Sequence, residues 1–229
     1  MNTYSMIKMF SRLMTLFLVM PVHEAAHALV AKWLGDDTAE RQGRITLNPF
    51  AHLELMGAIL MVTAGFGWAK PVQVNPNRMK NPRAGYALTA LAGPLSNLIA
   101  AFVSIFVWAC LLCTESGMTA KFFDETTGMS SVLMLLEFLF SVNIGLAIFN
   151  LIPVPPLDGF NILRFFLGSK ADRWFYEHQQ QMQLGFFALI IMLNFMPEQF
   201  NILSIACDFV SNKMLGLVVK IPMHKWGFV

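Results

Sequence analysis

Electric charge is scarce in this sequence. Only 13% of its 229 residues are Asp, Glu, Lys or Arg, against roughly 25% in ordinary soluble domains. The formal net charge is only +2, and no basic cluster is interleaved with exposed aromatic residues. Composition therefore excludes a nucleic-acid-binding surface.

Cysteine is scarce as well, with three residues in the chain. Cys110 and Cys113 share one face of an apolar helix end, and Cys207 lies far from both in sequence. The three cysteines make no closed disulfide framework, so they are interpreted as packing residues.

Long apolar runs take the place of the missing charge. Residues 84–114 and 138–157 contain no charged side chain, and each run reaches the ~20 residues that a helix needs to cross a bilayer. A third uncharged run, residues 178–197, opens with a glutamine cluster and offers a shorter spanning part. An earlier apolar segment covers about Leu13 to Leu34. These runs predict an all-α polytopic membrane protein with about five to six transmembrane segments.

A cleaved signal peptide is the competing interpretation of residues 1–22, with Lys8 and Arg12 as its basic region. No small-residue cleavage site follows the apolar stretch, so we reject it. The sequence contains no repeat and no linker long enough to tether a soluble module. We therefore predict a single membrane-embedded domain over residues 1–229.

The sequence His23-Glu24-Ala25-Ala26-His27 predicts a metal site inside the first apolar segment. Residues four apart lie on one face of a helix, so His23 and His27 can bind one Zn²⁺ ion per chain. Glu24 lies next to them without replacing a ligand, as suits a general base acting on zinc-bound water. Ionisable residues at such depth in an apolar segment are usually functional.

A catalytic zinc ion normally has three protein ligands, so a further residue is needed. Asp158 follows a segment broken by prolines and is the favoured candidate, although it could instead be a solvated acid at a helix N-terminus. Glu137 or Glu177 would be the ligand if the chain were a different membrane-embedded zinc protease that acts on soluble or lipidated substrates. A membrane protein that holds zinc without catalysis is the remaining alternative, and it would not require Glu24.

A short apolar piece, residues 56–64, leads to the glycines of Gly65-Phe66-Gly67 and then to an extended pattern at Val72-Gln73-Val74. The piece is too short to span the bilayer, so we predict a re-entrant element that turns back like a β-hairpin. Its exposed edge would bind substrate as an added strand. The predicted substrate-binding residues are Gly65, Phe66, Gly67, Val72 and Val74.

Basic residues predict an orientation. If the segments cross the bilayer alternately, nine lie on one side and three on the other, and the richer side is expected to be cytoplasmic. The active site then lies nearer the cytoplasm. The nine are Arg41, Arg44, Lys70, Arg78, Lys80, Arg83, Arg164, Lys170 and Arg173, and the three are Lys8, Arg12 and Lys121.

Several motifs together resemble the site-2 protease family of intramembrane zinc metalloproteases, in its compact bacterial branch without PDZ or CBS domains. They are the His-Glu-Ala-Ala-His pentad, the glycine turn, Gly93-Pro94-Leu95-Ser96-Asn97 and residues 150–159, which read Asn-Leu-Ile-Pro-Val-Pro-Pro-Leu-Asp-Gly. The resemblance covers about residues 15–170. It departs from many relatives at Phe160, where they have a second glycine, and at Glu54-Leu55, where they have Asp-Pro.

The resemblance implies a function and a set of site residues. His23, His27 and Asp158 would bind zinc, Glu24 would be the catalytic base, and Asn150 would lie near the metal, where an amide donor can stabilise an oxyanion. Asn97 would either face substrate or only join helices. The implied substrate is a transmembrane protein, cleaved in or near its membrane segment, and the implied location is the bacterial inner membrane.

Overall fold

The computed structural model describes residues 3–64, 67–122, 128–168, 173–175, 177–194 and 202–225. Helices make up most of these ranges, which confirms the all-α prediction, and no strand occurs within them. The helices are α1 (Thr3–Met14), α2 (Met20–Trp33), α3 (Thr38–Arg41), α4 (Leu55–Ala64), α5 (Pro82–Leu112), α6 (Glu115–Phe122), α7 (Gly128–Asn150), α8 (Asp158–Phe166), α9 (Gln179–Asn194), α10 (Ile202–Val218) and α11 (Lys220–Lys225).

The first candidate span runs without interruption from Met9 to Trp33. Its middle widens into a π-helical turn at Thr15–Val19, just before α2. Pro21 accounts for the turn, because proline lacks an N–H group and clashes with the carbonyl group four residues earlier. Beyond the helix end, Gly35 takes a φ of +108°, a left-handed conformation that favours glycine.

The central helix is α5, which packs against α2, α7 and α8. Asn81 caps its start by accepting a hydrogen bond from the Ala84 amide over 3.2 Å. The C-terminal half of α5 joins α6, α7 and α10 in the largest apolar core of the described chain. That core includes Ala101, Ile105, Trp108, Ala109, Leu112, Leu133, Phe140 and Ile144.

The chain doubles back after α4, as the glycine-rich stretch predicted. A Cβ atom on Gly57 would lie 2.1 Å from the Trp68 carbonyl oxygen, and one on Gly67 would lie 2.1 Å from the Gly57 oxygen. The backbone of the returning segment therefore lies directly against α4, and only glycine permits this approach. The earlier turn residues, Gly65 and Phe66, lie outside the described residues.

The returning segment, residues 67–75, is not half of a β-hairpin in the described structure. Its backbone hydrogen bonds go to a loop and to side chains. The Lys70 amide donates to the His52 carbonyl oxygen at 2.8 Å, the Val72 amide to the Glu24 carboxylate at 3.2 Å and the Asn75 amide to the Asp36 carboxylate at 2.6 Å. Because these partners satisfy the backbone, no second strand is needed.

Two buried charged side chains, Asp36 and Arg44, hold the returning segment in place through hydrogen bonds. Asp36 is fully buried and also accepts a hydrogen bond from the Thr38 amide. Arg44, only 4% exposed, donates to the carbonyl oxygens of Ala51 and Pro71. Each charged group is therefore hydrogen-bonded where burial would otherwise be costly.

The proline-rich stretch breaks the helix as predicted, so α7 ends at Asn150 and α8 begins at Asp158. A Cβ atom on Gly159 would lie 2.2 Å from the Leu151 carbonyl oxygen. The connecting loop therefore folds tightly onto the first turn of α8. This close approach fixes where Asp158 emerges.

Three described helices are long and apolar enough to cross a membrane, namely Met9–Trp33, Pro82–Leu112 and Gly128–Asn150. The chain is thus an integral membrane protein by composition and helix length. Helices α9 and α10 contain 16 and 17 residues, or about 24–26 Å of helix, which is less than the ~30 Å hydrocarbon core. The prediction of five to six spans stays a prediction.

Candidate metal centre

Three side chains from two different helices meet at one point. His23 and His27 are adjacent on the face of α2, and Asp158 reaches them from the start of α8. The distances are 3.0 Å between the two Nε2 atoms, 3.1 Å from His23 Nε2 to Asp158 Oδ2 and 3.3 Å from His27 Nε2 to the same oxygen. Ligands ~2.0–2.1 Å from a tetrahedral zinc ion are about 3.3 Å apart, so the three atoms fit around one such ion.

The other ring nitrogens show why a cation is required. Asn97 Oδ1 lies 2.8 Å from His23 Nδ1, and the Thr89 carbonyl oxygen lies 2.7 Å from His27 Nδ1. Both partners are acceptors, so each Nδ1 carries the hydrogen and each Nε2 presents a lone pair. Two lone pairs and a carboxylate oxygen then face one another, as in a zinc site with its supporting hydrogen bonds.

The carboxylate is held in its charged form. Burial alone raises the pKa of Asp158, but hydrogen bonding to His23 and His27 outweighs burial and lowers the pKa to about 2. The group supplies an anionic ligand at neutral pH, which suits zinc.

Gly93 allows the histidines to lie against α5. A Cβ atom at this position would lie 2.4 Å from His27 Nε2 and 2.5 Å from His23 Cε1. Helix α5 therefore approaches the two imidazole rings most closely at this residue. Any side chain here would displace the metal ligands.

Glu24 lies beside the metal-binding group and not within it. Its Oε2 atom accepts the hydrogen bond from the Val72 amide, which fixes the carboxylate at the edge of the returning segment. The predicted base and part of the predicted substrate-binding segment are thus in direct contact. Val74, two residues further on, is half-buried.

The two asparagines occupy different positions. Asn97 is fully buried and touches His23, which is the contact of a ligand-orienting residue, and its role in substrate binding stays a prediction. Asn150 donates from Nδ2 to the Leu146 carbonyl oxygen at 2.9 Å, one turn back along α7. Its amide nitrogen is therefore engaged by its own helix.

The alternative third ligands lie elsewhere. Glu137 accepts hydrogen bonds from Trp108 Nε1 and Lys121 Nζ, and Glu177 is exposed. Among the residues that the structure describes, the only group of three His, Cys, Asp or Glu side chains placed to hold a metal ion is His23, His27 and Asp158.

Sequence reasoning missed two contributors. The Thr89 acceptor is a backbone carbonyl group, and no side-chain pattern reports a backbone atom. Asp36 is a buried carboxylate that supports the returning segment. Its only local signal is the Asp-Asp-Thr sequence, in which Asp36 bonds to Thr38.

Comparisons with known proteins agree with this geometry. The family model for peptidase family M50 matches residues 11–194. YwhC of Bacillus subtilis (strain 168) is 44% identical over 149 residues, which cover 65% of this chain and 65% of that protein. Rip2 of Mycolicibacterium smegmatis (strain ATCC 700084 / mc(2)155) is 27% identical over 178 residues, which cover 75% of this chain and 62% of that protein. Both relatives carry the provisional description zinc metalloprotease.

The chain thus spans less than two thirds of the length of these relatives. No solved structure matches it. The family match covers every metal-binding residue described above and confirms the resemblance to site-2 proteases. The chain belongs to peptidase family M50.

Proposed function

We propose that this protein is an intramembrane zinc endopeptidase that cleaves peptide bonds in or near the transmembrane segments of other membrane proteins. The observation that carries the proposal is the convergence of three ligand atoms, with the Glu24 carboxylate beside them and hydrogen-bonded to the returning segment, residues 67–75. The family match and the description of both relatives as zinc metalloproteases support it.

The residues divide the chemistry among them. Zinc, when bound by His23, His27 and Asp158, supplies Lewis acidity for the attacking water and for the scissile carbonyl group. Glu24 accepts a proton from the water and returns it to the departing amine. Asn97 and the Thr89 carbonyl group hold the two imidazoles in the ligand tautomer. Asn150 can act on the oxyanion only after its side chain leaves Leu146.

Substrate is held in this proposal as an added strand along the returning segment. A helical transmembrane segment hides its carbonyl groups in hydrogen bonds, so it must unwind before cleavage, and an unwound segment needs new backbone partners. Among the described residues nothing accepts a hydrogen bond from the Val74 amide. Val74 therefore offers a backbone donor within two residues of the segment's contact with Glu24.

The Glu24→Gln substitution tests the function. The amide cannot accept the proton, whereas the histidines remain, so we expect full zinc content and a loss of cleavage of at least about 100-fold. His23→Ala should lose both zinc and cleavage. Comparison of membrane proteomes with wild-type and Glu24→Gln protein should show intact transmembrane proteins accumulating. Substantial turnover by purified Glu24→Gln protein would contradict the mechanism.

Metal content separates this proposal from the alternative zinc protease class. Asp158→Ala should lose most bound zinc, whereas Glu137→Gln and Glu177→Gln should retain it. Full occupancy without Asp158 would show that the third ligand lies elsewhere.

Strand addition is tested at Val74. Val74→Pro removes the backbone donor and should abolish most cleavage while zinc is retained. Val74→Thr keeps both the donor and the branched shape, so it is the matched control. Val72→Pro acts differently, because it removes the hydrogen bond to Glu24. Wild-type cleavage by Val74→Pro would exclude this edge from substrate binding.

We further propose that the site opens toward the cytoplasm of a bacterial cell. The distribution of basic residues supports this orientation, and both relatives are bacterial. In a chain without its three native cysteines, Ser116→Cys should react with an impermeant reagent on intact cells and Lys80→Cys should not. The reverse pattern would overturn the orientation.

A further inference from the structure

A cleft of about 510 Å³ lies between the N-terminal end of α5 and helix α8, next to the metal centre but outside it. Arg83 and Tyr86 line it from α5, and Asn161, Arg164 and Phe165 line it from α8. Its wall also includes Val74, in the returning segment, and Pro76, just beyond it. None of the lining side chains binds the metal, and apart from Val74, whose backbone amide is the proposed substrate donor, none forms part of the proposed mechanism.

Two guanidinium groups are fixed at this cleft. Arg83 Nη2 donates to the Arg164 carbonyl oxygen at 3.2 Å, and the Arg164 guanidinium lies 6.0 Å from the centre of the Tyr86 ring. The contact of Arg83 uses one of its five N–H donors. Within the described ranges, no carboxylate is in ion-pair contact with Arg83. Arg83 therefore contributes a positive charge to the cleft.

The lining suits a phosphate group. Arginine offers paired N–H donors that match two phosphate oxygens, and Tyr86 and Asn161 add a hydroxyl and an amide group. Phe165 and Pro76 add apolar surface. A cleft that combines these groups is suited to an amphipathic phosphate ester better than to a free inorganic ion.

The height of the cleft along α5 indicates the source of that phosphate. The exposed apolar residues of α5 begin at Leu88 and end at Val107, a rise of about 28 Å along the helix. This rise equals the ~30 Å hydrocarbon core of a bilayer. Arg83 lies five residues before Leu88, about 7–8 Å beyond the edge of this apolar face, which is the level of the lipid headgroups.

We propose that this cleft binds the headgroup phosphate of an anionic phospholipid, with Arg83 contacting the phosphate oxygens. Because Asn161 and Arg164 lie on α8, which begins with Asp158, the bound lipid also packs against the helix that carries the third metal ligand. The cleft shares Val74 with the proposed substrate-binding segment, but lipid binding to it can be measured without peptide cleavage.

Lipid binding to the zinc-loaded protein tests the proposal. The full chain is delipidated in a neutral detergent and titrated with phosphatidylglycerol or with phosphatidylcholine of the same acyl chains, and bound lipid is counted by native mass spectrometry. We expect phosphatidylglycerol to bind at least about tenfold more tightly. Arg83→Gln should weaken its binding about tenfold, and Arg83→Lys, which keeps the charge and loses the fork, should weaken it less.

Lys80→Gln is the matched control, because it removes one positive charge from the loop just before α5, outside the cleft, and should change binding by less than about twofold. Unchanged zinc content and thermal unfolding would show that Arg83→Gln is folded. Equal weakening by Lys80→Gln and Arg83→Gln would overturn the proposal in favour of diffuse surface charge. Competition by inorganic phosphate or glycerol phosphate at the affinity of the lipid would overturn the lipid source. Neither measurement depends on proteolysis, so a failure here leaves the proposed function untouched.

Discussion

The two halves of α5 are built on different principles. From Gly85 to Asn97 its buried residues are small or polar, and they face the metal ligands and α8. From Ala101 to Leu112 they are mainly apolar and pack against α6, α7 and α10. The first half fixes the positions of individual atoms, whereas the second fills volume.

This difference determines what each half tolerates. In an apolar core, a smaller side chain lowers the free energy of unfolding, but the surrounding residues stay in place. The surface that lies against the two imidazole rings does not tolerate such changes, because a displaced imidazole can no longer bind the metal. Substitutions in the first half should therefore change zinc binding, and those in the second half should change only stability.

Gly93→Ala should break the first half most severely. The added methyl group overlaps both imidazole rings, and a displacement of about 1 Å at a catalytic group can cost ~100-fold in rate. We expect zinc content and cleavage both to collapse. Gly145→Ala in α7 is the control, since nothing lies within 4 Å of its Cβ position. Wild-type zinc content in Gly93→Ala would show that the rings can shift without losing the metal.

Asn97→Ala should have the next largest effect. It removes the acceptor for His23 Nδ1, and loss of such a supporting group typically weakens metal binding about 10–100-fold. Competition with a chelator measures the affinity. Asn143→Ala, a buried asparagine of α7 that bonds to its own helix, should leave zinc affinity unchanged. Asn97→Asp retains an acceptor and should recover most of the affinity.

Ile105→Ala probes the second half. Ile105 is only 1% exposed, so its truncation should lower the free energy of unfolding by about 2–5 kcal/mol. Zinc affinity in the folded protein should not change. Val107→Ala, at a position 40% exposed, should cost less than about 1 kcal/mol. A large drop in zinc affinity for Ile105→Ala would erase the distinction between the halves.

Trp108→Phe should have the smallest effect. It removes the 2.8 Å hydrogen bond from the indole N–H to Glu137, but Lys121 still contacts that carboxylate. We expect a loss of about 1 kcal/mol in unfolding free energy with no change in zinc content. A double-mutant cycle with Glu137→Gln measures the coupling between the two side chains. Any loss of metal would contradict our placement of Glu137 away from the centre.

Chemistry carried by side chains could be predicted from the sequence. His23 and His27 have a spacing that only one helix face satisfies, and Asp158 follows a run of prolines that breaks an apolar helix. The structure brings the three together. The long uncharged runs likewise predicted α5 and α7, because a bilayer demands length and low polarity.

Contacts made by backbone atoms could not be predicted in this way. The Thr89 carbonyl group and the space at Gly93 serve the histidines without a distinctive side chain. The β-hairpin prediction is not confirmed, for a related reason. The alternating valines predicted a strand, but two hydrogen-bond partners of this segment are the carboxylates of Glu24 and Asp36, which no local pattern connects to it.

The contact between the Val72 amide and Glu24 means that one short stretch of chain carries two geometric tasks. If substrate pairs with residues beside Val72, the same short segment positions both the proton acceptor, Glu24, and the peptide being cleaved. Thermal motion of α2 relative to other helices then changes their separation less, because the hydrogen bond from Val72 ties the Glu24 carboxylate to the segment that holds the substrate. Such shared positioning reduces the orientational entropy that must be lost before reaction, and it makes the rate sensitive to the conformation of a single residue outside the zinc motif.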